Sequence, residues 1–175
     1  MRIAVAEAAR QLEERGLLER GRGNNSTRVI ERVRHLIGRA LPTDLEDFYR
    51  ERIARIGEFH AMTPEWNDHV GWRSPDTLVT ALLDVGAAPI FDDGCGNLYG
   101  LDLTQGEETP AVYFFDHGRG YDKPTYAAGS SLGVFLLLLA DGDRAQAEHW
   151  PRKWELRIDP DLGSCPRAPP IWSAD

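Results

Sequence analysis

The chain has 175 residues, 42% of them hydrophobic and 27% charged, with a formal net charge of −8. Such a length and composition suit one folded domain and exclude disorder of the whole chain. The acidic balance argues against direct nucleic-acid binding, which needs Lys and Arg to neutralise phosphates.

Taken in chain order, residues 3–20 are expected to form a helix, with Val5, Ala8, Ala9 and Leu12 on one stripe. Gly21, Gly23, Asn24 and Asn25 break it, and a second helix starts at Ser26 with Val29, Val33, Leu36 and Ile37 as its buried stripe. Thr43-Asp44-Leu45-Glu46 has the pattern of a capping box, in which the Thr hydroxyl accepts a backbone N–H and Glu46 reaches back. Leu45, Phe48, Tyr49, Ile53 and Ile56 continue a third helical stripe. Ser74-Pro75 signals a further helix, running to about Asp84 and ended by Gly86. The run Leu-Val-Thr-Ala-Leu-Leu inside it is short and β-branched enough to leave a strand open.

After Gly86 the period changes. Ala88 to Phe91 is a short apolar run, Asn97 to Leu103 alternates, and Ala111 to Phe115 is apolar throughout, as in a central strand. Turn residues separate them: Asp92-Asp93-Gly94, then Gln105-Gly106-Glu107-Glu108. These pieces predict an antiparallel meander. Ser130 or Ser131 then caps a helix that is apolar all round from Val134 to Leu139, hence buried, and that Gly142 stops. The proline-rich end is expected to be an extended arm, with Trp172 tacking it down. The fold class is α+β: N-terminal helices, a central mostly antiparallel sheet, and one buried helix after the sheet.

The longest apolar run, Val134 to Ala140, is far too short to span a bilayer, and no leader is visible, so a cytoplasmic protein without a membrane partner is expected. Cys95 and Cys165 form no C-x-x-C pair and read as free thiols. Charge is uneven. Residues 1–60 carry 12 basic and 10 acidic groups, a balance of +2; residues 61–175 carry 8 and 18, a balance of −10.

Reaction chemistry finds no constellation. Asp92 and Asn97 lack calcium-loop spacing, so the Asp-Asp-Gly run reads as a tight turn. A sheet could bring Asp102 and Asp116 together as an acid–base pair with His117, which supports only a minority reading as a small hydrolase. No helix N-terminus or nearby lysine activates Cys95 as a nucleophile to pair with His60, His69 or His117. Gly94-x-Gly96 lacks a third glycine for dinucleotide binding. Trp66 and Trp72 suit a core or an interface equally. No catalytic residue, metal or cofactor is assigned.

Four stretches occur in a telling order: LPTDLEDFYR at 41–50, FDDGCGNLYGLDL at 91–103, PAVYFFDHG at 110–118 and SSLGVFLLLL at 130–139. Together they resemble the SUKH superfamily, named partly after a fungal cell-wall-assembly regulator. The resemblance covers about Leu41 to Ala140, which divides the chain into an N-terminal helical extension (1–40), the domain (41–140) and a C-terminal extension with a Pro-rich arm (141–175), one globular unit in all. It implies an α+β fold with a central sheet, in which Gly94, Gly96, Asn97 and Tyr99 are structural. Cys95 inside that turn departs from the pattern. It also implies a non-enzymatic immunity protein that binds and neutralises a cognate bacterial toxin domain, often a nuclease. A nuclease is typically basic, so the acidic residues Asp92, Asp93, Asp102, Glu107, Glu108 and Asp116 are the expected contacts. The alternative is an intracellular scaffold or regulatory module of the same fold.

Overall fold

In a computed structural model of the chain, residues 3–22, 26–62, 78–104, 110–147 and 154–170 are described. Helix α1 (Val5–Glu14) buries Val5, Ala8, Ala9 and Leu12, the expected stripe. It ends sooner than the periodicity predicts. Gly16 takes a left-handed φ of 68°, and the N–H groups of Gly16 and Leu17 bond back to Glu13 and Leu12. Leu18–Arg20 then forms strand β1 instead of a last helical turn.

Helix α2 (Ser26–Ile37) buries Val29, Ile30 and Val33. Leu36, expected in that stripe, is 43% exposed, because the buried face is centred one residue earlier, on Ile30 and Val33. Helix α3 (Thr43–Glu51) forms without the capping box. The Pro42 carbonyl accepts the N–H groups of Leu45 and Glu46, and the Glu46 carboxylate is drawn to Arg34 and Arg50. Arg52 closes the helix at φ 55°, held by a mutual clasp with Gly21. Ile53 and Ile56 therefore leave the helical stripe and enter strand β2 (Ile53–Ile56).

Strand β3 (Phe59–Ala61) follows a tight turn at Gly57. Residues 78–84 are helix α4 (Leu78–Asp84), which settles the helix-or-strand ambiguity; its expected Ser74-Pro75 start lies outside the described residues, as do Trp66 and Trp72. Strands β4 (Ala87–Asp92), β5 (Leu98–Asp102), β6 (Val112–Phe115) and β7 (Tyr126–Gly129) complete a seven-stranded antiparallel sheet in sequence order, a meander throughout. The sheet thus begins three strands earlier than expected.

Helix α5 (Leu132–Ala147) buries Val134, Phe135, Leu136, Leu138 and Leu139. It runs past Gly142, which sits in the helix and does not stop it. Neither serine caps it through its hydroxyl: Ser130 Oγ donates to Asp159, and Ser131 Oγ has no partner among the described residues. Aromatic rings tie helices to sheet: Phe48 meets Phe91 at 5.6 Å, Phe91 meets Phe135 at 6.0 Å, and Phe135 meets Tyr99 at 5.0 Å. Each such pair adds about 1 kcal/mol beyond area burial.

The C-terminal segment is less extended than its prolines suggest. It makes 3-10 turns at Trp154–Arg157 and Leu162–Ser164. It then lies along the outer edge of β7, where Ala127 N–H donates to Pro169 and Ala127 bridges Pro170. Trp172 lies outside the described residues. No helix among the described residues is long and apolar enough to cross a membrane.

Candidate functional site

The loop between β4 and β5 is built by its own aspartates. Asp93 Oδ1 accepts the N–H groups of Cys95 (2.8 Å) and Asn97 (3.1 Å), and Asp93 Oδ2 accepts Asn97 Nδ2 at 2.7 Å. Asp92 Oδ1 accepts the Gly94 N–H at 3.0 Å. Gly94 and Gly96 supply the positive φ values, 73° and 94°, that this winding demands. The Asp-Asp-Gly run is therefore a turn.

A second loop, between β6 and β7, packs against the first. Asp116 Oδ1 accepts the Gly118 N–H at 2.8 Å and so starts the 3-10 turn His117–Arg119. Asn97 Oδ1 accepts the backbone N–H of His117 (3.1 Å) and lies 3.0 Å from its ring Nδ1. Tyr121 OH donates to the Gly96 carbonyl at 2.5 Å. Asn97 thus rivets the two loops into one surface at one end of the sheet. The Asp93–Asn97 spacing was legible as turn chemistry; the link to His117, 20 residues on, has no local signal.

Among the described residues, the expected contacts do not form one exposed patch. Asp92 is buried at 6% exposure. Burial foremost raises its pKa, against the Gly94 N–H and the charge of His60, and its Oδ2 has no partner among the described residues. Asp93 and Asp116 are part-exposed, with carboxylates occupied by backbone N–H groups. Glu107 and Glu108 lie outside the described residues.

Asp102, another expected contact, is buried against its own chain. It is 2% exposed and accepts Thr104 N–H (2.9 Å), Thr104 Oγ1 (2.7 Å) and Arg167 Nη1 (3.1 Å). Arg167 also donates to the Val85 carbonyl at 2.8 Å, and its guanidinium lies 5.8 Å from the centre of the Tyr113 ring. This is a staple between the sheet and the C-terminal segment. The expected meeting of Asp102 with Asp116 fails on register. Leu98 pairs with Phe115 and Leu101 with Val112, so the two aspartates sit at opposite ends of the strand pair. At about 3.3 Å per residue they are roughly 17 Å apart along the strands.

Cys95 is exposed and makes no hydrogen bond to a histidine among the described residues. No group of three or more His, Cys, Asp or Glu among the described residues could hold a metal ion. What the site offers chemically is a surface of carboxylates, one oriented imidazole and an accessible thiol, set on a fixed double loop. The staple residues Arg167 and Asp159, both in the proline-rich segment, were not singled out from the sequence, since their partners lie far away along the chain.

A family model described as SMI1 / KNR4 family (SUKH-1) matches residues 25–137, well over half of the chain. The match takes in α2, so it starts earlier than the resemblance read from Leu41. No curated protein and no solved structure matches.

Proposed function

We propose that this chain, which belongs to the SMI1 / KNR4 family (SUKH-1), is an immunity protein that works by occupying a toxin domain and not by catalysis. The observation that carries the reading is the family membership together with the double loop. An exposed His117 sits there between Asp116, which precedes it, and Asn97, which is bonded to Asp93, on a surface pinned by Asn97 and Tyr121. A pre-formed surface loses little conformational freedom on binding, which leaves more of the contact energy for affinity. Its negative field attracts a basic protein such as a nuclease and repels the nuclease's own substrate. The carboxylates named for a hydrolase support this reading too, because Asp102 is locked to Arg167 and far from Asp116.

The test is co-expression. Cells producing the toxin domain encoded beside this chain should grow when the chain is made and die when it is not. Protection that extends equally to unrelated toxins, or is absent for the neighbouring one, overturns the proposal and favours a regulatory or scaffold module of the same fold.

A further inference from the structure

We propose that His117 is the hydrogen-bond acceptor at the centre of the partner-facing surface, and that it receives an arginine or lysine of the partner. This rests on the binding function above and names the chemistry of the group that docks. The argument begins at Asn97. Its Nδ2 faces Asp93 Oδ2, a carboxylate oxygen that accepts, and its Oδ1 faces the backbone N–H of His117, which donates. Both contacts fix the amide in one orientation.

The ring nitrogen 3.0 Å from that same Oδ1 must then carry a hydrogen, so Nδ1 is the protonated nitrogen. In the neutral ring the lone pair is left on Nε2. That atom has no hydrogen bond among the described residues, and His117 is exposed. Gly96 backs the ring closely: a Cβ there would stand 3.6 Å from His117 Cγ. The imidazole is therefore oriented and backed before any partner arrives.

The surroundings select a cation. Asp93 lies one hydrogen bond behind Asn97, and Asp116 precedes His117 in the chain. The loop's own cations are the local competitors: Lys123 is exposed, and Arg119 is 71% exposed and as far as 3.8 Å from Asp116, a contact that holds it weakly. An arginine or lysine N–H can reach Nε2 while its charge answers the carboxylates.

The test uses the full chain with nitrogen-15-labelled imidazoles, kept neutral. Long-range proton–nitrogen correlation should show His117 in the Nδ1–H form, and Asn97→Leu should shift it toward the Nε2–H form that free imidazole prefers. Titrated arginine amide, a stand-in for the partner's side chain, should move the His117 Nε2 signal saturably. An Nε2–H tautomer in the native chain overturns the proposal, and so does an Nε2 signal that arginine amide leaves in place. With a toxin that passes the rescue test, His117→Ala should weaken binding about tenfold or more, as for one hydrogen bond to a charged group. His117→Gln, which keeps an acceptor, should recover part of that loss; equal affinity of His117→Ala and the native chain contradicts the assignment. Failed rescue leaves the tautomer and arginine-amide readouts standing, so a wrong function and a wrong acceptor are told apart.

Discussion

Two aspartates of one short stretch, Asp93 and Asp102, have different fates. Asp93 could be read from the sequence as turn chemistry, because an Asp beside glycines accepts backbone N–H groups a few residues on, here those of Cys95 and Asn97. Asp102 could not, because its counter-ion is 65 residues away in a segment that composition marks as irregular. Removing one partner of a buried pair strands the other charge, so Arg167→Met should cost about 3 kcal/mol in urea unfolding. Asp102→Asn added to it should cost much less than an independent second change, since the two act as a unit. Asp92 behaves oppositely. Its folded pKa lies above the unfolded one, so its contribution is most favourable when protonated and is lost as pH rises through the raised value. Asp92→Asn keeps an acceptor for Gly94 and carries no charge. Its urea midpoint should exceed the native one at neutral pH, and the gap should close in acid; a gap independent of pH would contradict the burial account.

Long, strongly patterned elements were legible: the stripe of α1, the apolar run of α5 and the strands β4 to β6 all read correctly. Strands β1 and β3 did not, because three-residue pieces such as Leu-Glu-Arg and Phe-His-Ala carry no period, and their strand state comes from neighbours. Serine capping of α5 failed for a related reason: Asp159, arriving from the C-terminal segment, outbids the helix end for Ser130 with two bonds of 2.6 Å. Packing between elements also sets the sign of a mutation. Helix propensity alone would favour Gly133→Ala by about 1 kcal/mol. A Cβ at Gly133 would stand 2.1 Å from the Ile3 carbonyl oxygen, a backbone atom that cannot step aside locally. The variant should therefore melt lower than the native chain; a higher melting temperature would contradict the close packing of α5 on the N-terminal segment.

Across the whole molecule, the asymmetry of charge was plain in the sequence, while its placement was not. Reversing Asp92 or Asp93 would break the turn and confuse folding with binding, since both hold backbone N–H groups. Glu107, Glu108 and Asp122 are better sites for reversal to lysine. Together these changes should slow association with a basic toxin several-fold at low salt and much less at high salt, where the screening length is short. An association rate unaffected by them would remove steering from the mechanism. The most direct measurement titrates the purified chain against the purified toxin domain while the toxin's activity is followed. Occupation predicts inhibition that rises linearly and is complete near one chain per toxin, with a complex of that composition isolated intact. Complete inhibition by far less than one equivalent, with the toxin chemically altered, would mean that the chain acts as an enzyme.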